Sequence, residues 1–492
     1  MKAPALKVLP AAVVIGIAGD GLLRGGQWRL GFALWIAVLV AAVFAIGGRR
    51  TRAPLLMMTG VLFAAFGLVW RDAPMLYAVD MLSVLCMGAL TLWSGSGGDV
   101  GQLTLVESVR VGVIALVNTV GGAAAVVGEG LAMQGSNPSR RATIRAVVIG
   151  TVLALPPVLL VSSLLARSDQ IFDRVLQQIV TTISSAGLSH LLVAALLAWI
   201  ATGWLKAALG EGTASVVPQV SSPGLRFASV AVGLYALIAL LLLFVVTQAR
   251  VVFGGAAFLR ETAGLTVANY AREGFFQLIV AAVIVLCTLA IAEWLLAGDD
   301  ARGHRHYTIA GAVLLALVAT LLVSAAVRIG LYVSEFGLSV DRAFASSGIL
   351  WVCGLLVAFA LTTLRGRAVQ FMPVSIAVTI AWVVLVNLVN PEAFVVHVNV
   401  SRAVHGHAFD ARYHARLSAD ALPSLVRGAP RLNAADCLLL ESSLRLNWNA
   451  RFAAVASGGR DWRSVDLPLR RAADWVRAPT LSCAGAPGVP VQ

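Results

Sequence analysis

Apolar stretches of about twenty residues follow one another from the N-terminus to about Asn390, and then the pattern stops. A run of roughly 18 or more apolar residues is long enough to cross a bilayer as a helix. At that depth the backbone must satisfy its own hydrogen bonds, so helices are the default, and the two-residue alternation of a barrel strand is missing. Eleven spans are predicted, at 8–23, 30–46, 55–70, 75–93, 143–165, 188–209, 228–247, 274–296, 308–330, 345–364 and 371–389, within a range of ten to twelve. The fold class expected is therefore all-α: a polytopic helix bundle over 1–390 and a small helical extramembrane domain over 391–492. The tail opens one helix at Asn433-Ala-Ala-Asp436, a cap-like pattern, and another near Ser418 and Pro423.

Composition narrows the function classes. Charged residues make up 12%, about half of what a soluble domain carries. The net charge of +13 comes almost wholly from Arg, since Lys2, Lys7 and Lys206 are the only lysines. These arginines sit at span ends and in the tail, with no basic face interleaved by aromatics, so no nucleic-acid partner is expected. Cationic loops on such a chain report orientation and contact with anionic lipid.

Arg density also orients the chain. With the N-terminus cytoplasmic, Arg49, Arg50 and Arg52, then Arg140, Arg141 and Arg145, then Arg302 and Arg305, then Arg365 and Arg367 all fall inside. Counting 105–128 as another span would reverse the later clusters. That segment carries Glu107, Arg110, Asn118 and Gly121-Gly122, so it is expected to be re-entrant or interfacial. The C-terminal domain is then non-cytoplasmic. Residues 168–187 form an amphipathic stripe suited to an interfacial helix or to docking on that domain.

Three polar motifs interrupt the apolar pattern at what this topology makes the outer ends of spans. They are 260–276, with Tyr270, Arg272 and Glu273; 328–342, with Tyr332, Glu335 and Arg342; and 390–423, with Asn399, Arg402 and Asp420. Ionisable groups at membrane depth are costly unless paired or lining a wet cavity, so these residues are expected to converge on one outer-face site. Glu335 is expected to be partly buried and paired with Arg328 or Arg342, with Asp341 facing water. Asp80 lies about a third of the way into its span and is a separate intramembrane candidate for a proton or cation.

Other residues carry less. Cys437 and Cys483 are able to pair if the tail is outside the cytoplasm. His397, His405, His407 and His414 are too irregularly spaced for a metal set, and neither a metal nor a cofactor is expected. Phosphate-loop, zincin and nucleophile-elbow motifs are absent.

The motifs resemble a bacterial family of polytopic membrane proteins known as domain of unknown function 4173, with the related 4153. The residues that carry the likeness are Tyr270-Ala-Arg272-Glu273-Gly274-Phe275, Tyr332-Val-Ser-Glu335-Phe-Gly337-Leu338 with Arg342, and Asn399-Val-Ser-Arg402. Asp410 with Tyr413, Leu417-Ser-Ala-Asp420-Ala421-Leu-Pro423 and Asp461-Trp462-Arg463 complete it. Phe336 stands where the family tends to have Tyr. The resemblance implies a bacterial cytoplasmic-membrane protein and no activity. The reading that fits best is a scaffold or sensor-like protein that recognises a protein partner or small ligand at its outer face. An ion-coupled secondary transporter, or a membrane enzyme acting on an envelope or lipid-linked substrate, are the competing classes.

Overall fold

A computed structural model describes residues 4–24, 28–46, 52–95, 97–133, 188–211, 222–263, 275–296, 301–456, 461–464 and 467–476, with short pieces between 139 and 178 and at 481 and 483. Every regular element among them is helical. The N-terminal helices are α1 (Pro4–Leu23), α2 (Leu30–Ile46), α3 (Arg52–Trp70), α4 (Pro74–Gly95), α5 (Leu105–Met133) and α6 (Leu188–Lys206). Then come α7 (Phe227–Ala263), α8 (Phe275–Leu295), α9 (Ala301–Phe336), α10 (Val340–Leu361) and α11 (Phe371–Val389). The tail folds as α12 (Pro391–Val404), α13 (Ala411–His414), α14 (Leu422–Gly428), α15 (Ala434–Ala456) and α16 (Leu467–Val476).

Seven of the described helices, α4 and α6 to α11, are long and apolar enough to cross a membrane; α2 and residues 54–70 are shorter apolar helices. The expected span 143–165 lies outside the described residues, and of 168–187 the structure describes 172–178, which are helical. The segment at 105–128, expected to be re-entrant or interfacial, lies in one unbroken helix, α5, of 29 residues, about 43 Å long, which does not count among the seven. Its Gly pair explains the weak hydropathy. A Cβ on Gly122 would lie 2.8 Å from the Cα of Gly203 in α6, so these helices meet backbone to backbone, as small-residue contacts in bilayers do.

The apolar side chains collect into two large clusters in the bundle. One joins α1 to α6 through residues such as Ile15, Leu39, Leu68 and Leu205. The other joins α7 to α11 through Leu234, Leu289, Leu314, Val318 and Phe359. A third cluster, with Val396, Leu422, Leu440 and Trp448, is the core of the tail. Trp448 donates its indole N–H to the Ala415 carbonyl at 3.0 Å. Asn433 Oδ1 accepts from Asp436 N at 2.8 Å, so the cap read from the sequence starts α15. Cys437 of α15 forms a disulfide with Cys483.

Polar contacts sort the helix ends onto two ends of the bundle. Asp20 near the end of α1 pairs with His190 at the start of α6. Arg463 of the tail donates to the Gly21 carbonyl, and Ala419 N donates to Asp72 after α3. At the opposite end, Leu225 N donates to Leu295 O, and Phe227 stacks on His306. The tail therefore sits where α1, α3, α9 and α11 finish and where α4, α6 and α10 begin.

Candidate functional site

Two polar centres tie the tail to the bundle. The first is built on the three-residue link Arg71-Asp72-Ala73 between α3 and α4, with Pro74 opening α4. A helix start leaves its first N–H groups without intrahelical partners. Asp420 Oδ2 accepts from Asp72 N at 2.5 Å and Ala73 N at 2.9 Å, while Oδ1 lies 3.5 Å from Arg71 Nη1. Arg71 also serves the last carbonyls of α11: Nε donates to Asn387 O at 2.7 Å and Nη2 reaches both Asn387 O and Leu388 O. A cation there also complements the helix dipole. Asp72 returns the exchange, accepting from Arg29 and from Ala419 N at 3.0 Å.

Asn390 closes the centre. It takes a left-handed conformation, φ +54°, that ends α11; its Oδ1 caps α12 at Ala393 N, and its Nδ2 donates to Asp420 O at 3.0 Å. Glu392 Oε2 accepts from Ser418 N at 2.7 Å and Ser418 Oγ at 2.6 Å. One turn deeper, Asn387 Nδ2 donates to Asp80 Oδ1 at 2.8 Å. Asp80 is fully buried, and its Oδ2 has no hydrogen-bond partner among the described residues.

The second centre lies at the turn from α9 to α10. Gly337, at φ +82°, ends α9, and a Cβ there would come within 2.8 Å of Asn399 Oδ1. Asn399 needs that closeness: its amide accepts from Leu338 N at 2.8 Å and donates to Leu338 O at 2.7 Å. His414 Nε2 lies 3.0 Å from the same Nδ2, and Nδ1 lies 2.6 Å from Asp410 O. That arrangement suits a neutral ring with its proton on Nδ1, and burial lowers the pKa of His414. Tyr413 OH accepts from Val340 N at 2.9 Å, and Arg402 donates to the carbonyls of Ser334 and Glu335. Arg342 lies 3.7 Å over the Tyr332 ring and donates to Ser339 Oγ. Between these walls is a cleft of about 570 Å³, lined by Tyr332, Phe336, Arg342, Asp410, Arg412 and Tyr413 among others.

Residues 8–428 match the family model of a domain of unknown function, DUF4153, a span that holds both centres. The chain belongs to the DUF4153 family. It is the related family, 4153, and not 4173, that the match names. We found no similar curated protein and no similar solved structure.

The residues expected to converge divide between the two centres of this DUF4153 chain. Glu335, Arg342, Asn399 and Arg402 meet at the cleft. Asp420 belongs to the first centre, linked to Arg71, and Asp80 lies beneath it. Tyr270, Arg272 and Glu273 fall outside the described residues. Glu335 needs a correction: it is exposed, and Arg402 bonds its backbone carbonyl, while Arg342 turns to Tyr332 and Ser339. It lies in the last turn of a helix that outruns the expected span, 301–336 against 308–330. Asp341 is exposed too, and Glu335→Ala and Asp341→Ala should differ by only tenths of a kcal/mol. Arg29, Arg71, Asp72 and Asn387 were not picked out by the sequence, and Ser418 was read only as a helix start. The one signal was Arg-Asp-Ala-Pro, a short charged link between two apolar runs.

Burial pushes the Glu392 carboxyl up to about 7, against the pull of the two Ser418 donors. Burial also raises Asp420, opposed by the Asp72 and Ala73 N–H groups and by Arg71. A folded pKa above the unfolded value near 4.5 gives Glu392 a stabilising contribution that is complete below that pH. It fades as pH rises through about 7. Glu392→Gln, which keeps an acceptor for Ser418, should flatten the fall in melting temperature of the detergent-solubilised protein between pH 5 and 8. An unchanged pH profile would show that Glu392 is not the titrating group.

Proposed function

We propose that this chain is a membrane scaffold or sensor-like protein whose spans, residues 1–390, hold a water-facing domain, residues 391–492, over a recognition cleft on the non-cytoplasmic side. The cleft between the α9–α10 turn and residues 408–414 carries the reading. It offers an exposed aromatic, Phe336, beside charges of both signs, and it lies where the tail meets the bundle. A ligand bridging its walls bears on how the tail docks. Asn399 and Arg402 fix the walls and leave Tyr332, Arg342 and Arg412 for contact. Tyr270, Arg272 and Glu273 of the 260–276 motif, which fall outside the described residues, belong to the proposed site on the sequence motif alone.

Three observations support the sidedness. The tail bonds at the ends of α1, α3 and α11, which an N-terminus inside puts outside. The clusters at Arg302, Arg305, Arg365 and Arg367 belong to the opposite end, as positive-inside loops do. Pairing of Cys437 with Cys483 suits an oxidising compartment. Because His190 meets Asp20, α6 starts at the tail's end whatever path 134–187 takes. A cytoplasm-only reporter fused after Val389 should be silent, and strong activity there would reverse the assignment.

The cleft is tested by placing a photo-cross-linking residue at position 336 or, as control, at Leu446, which is 82% exposed on α15. Position 336 should yield a discrete adduct with an envelope component in intact cells, one that Arg342→Ala weakens. Equal labelling at the two positions, or none at 336, rejects the cleft as a recognition site.

A further inference from the structure

The two apolar clusters of the bundle do not close on each other at the end away from the tail. Between them is a cavity of about 430 Å³, bounded by α4 and α5 on one side and by α8, α10 and α11 on the other. Its walls, which include Leu105 and Leu355, are apolar except at the hydroxyls of Ser108, Ser375 and Thr379 and the thiols of Cys86 and Cys287. A second space of about 150 Å³ continues from it past Leu105, Ala290 and Phe371 to Glu293, Thr104 and Thr363. Along α11 the two run from Val369 to Thr379, roughly 15 Å, close to half of a hydrocarbon core of about 30 Å.

The polar atoms along this path are unsatisfied in a particular order. Thr379 is used, accepting from Trp351 Nε1 at 3.0 Å. Ser375 is 8% exposed, lines the cavity, and its Oγ has no hydrogen-bond partner among the described residues. A buried hydroxyl without a partner is uncommon and calls for one. At the far end, Glu293 Oε1 lies 3.2 Å from His304 Nε2, while Oε2 has no partner among the described residues. Exposed Arg365 and Arg367 stand on the turn beside Thr363. The site presents a hydrocarbon slot with a hydroxyl donor, Ser375, in its wall, and outward of the slot a carboxylate acceptor and two cations.

We propose that this seam is a specific phospholipid site. An acyl chain fills the apolar slot, its ester carbonyl accepts from Ser375 Oγ, the phosphate faces Arg365 and Arg367, and an ethanolamine ammonium donates to Glu293. Choline lacks the N–H donors that the carboxylate needs, and an ether-linked chain lacks the carbonyl that Ser375 needs. The site is separate from the outer cleft and stands or falls independently of it.

The test is native mass spectrometry of the detergent-purified full chain with three added lipids: ester-linked phosphatidylethanolamine, its ether-linked analogue, and phosphatidylcholine. Wild type should retain one ester-linked phosphatidylethanolamine per chain, about fivefold more tightly than the ether analogue, the worth of one hydrogen bond. It should also prefer it over phosphatidylcholine. Ser375→Ala should abolish the ester preference without loss of folding. Ala290→Trp, which fills the seam, should lose retention, while Val280→Trp on the exposed face of α8 should not. Ester and ether lipids held equally by wild type, or equal retention by Ala290→Trp and Val280→Trp, would overturn the site. Equal binding of phosphatidylcholine would overturn the headgroup assignment.

Discussion

Asp420→Ala should cost the folded protein about 3–5 kcal/mol, the range seen when one member of a buried charge pair is removed. The side chain is 1% exposed and serves two backbone N–H groups at the start of α4 as well as Arg71. Its loss leaves the Asp72 and Ala73 N–H groups without their acceptor and takes the counter-charge from Arg71, which keeps the Asn387 and Leu388 carbonyls. The control is Asp410→Ala. Asp410 is exposed and caps α13 at Tyr413 N, a contact worth roughly 1 kcal/mol. Melting in detergent at matched expression compares them. If the two variants melt together, Asp420 does not secure the link between α3 and α4.

Gly67→Ala should be among the damaging single methyl additions in the bundle. A Cβ at that position would lie 2.3 Å from Asp80 Oδ2 and 2.6 Å from its Cγ, and Asp80 is fully buried and tied to Asn387. Overpacking of this kind costs about 1–3 kcal/mol, and displacing Asp80 from Asn387 adds to it. Gly348→Ala, where the added carbon meets nothing within 4 Å, should be neutral or slightly stabilising. The double variant Gly67→Ala with Asp80→Ala should be less destabilised than the sum of the two singles, because the clash has lost one side. Strict additivity would refute the contact.

The bundle was legible because hydropathy reports span by span. The seven long helices fall on expected spans, and the tail's helical character and the start of α15 at Asn433 also followed from local pattern. The continuity of α5 was not legible because its Gly residues and Asn118 lower hydropathy, yet Gly is what lets it approach Gly203. Residues of the α9–α10 turn and α12 lie together: Gly337 and Asn399 each make sense only with the other. Asp420 was drawn into the same group because charge and depth do not identify a partner. What decides its place is which backbone donors are left over at a helix start, and those belong to residues 72 and 73. Glu335 was misplaced for a simpler reason: α9 runs on past the expected span, and the sequence does not mark where the helix ends.

Asp420 bonds a segment 347 to 348 residues earlier in the chain, and Arg71 meets Asn387 across 316. Such pairings make for a high contact order. The chain must close a very long loop before these contacts form, and topology of this kind slows folding. Insertion of α3 and α4 during synthesis leaves the N–H groups of Asp72 and Ala73 and the guanidinium of Arg71 waiting until the tail arrives. The first half of the bundle is therefore completed by one of the last segments made. A ribosome that stops before residue 420 releases a product with correctly inserted helices but an open link between α3 and α4. Membrane proteases that sample local opening would discriminate against that product, so the long-range bond doubles as a check on completeness.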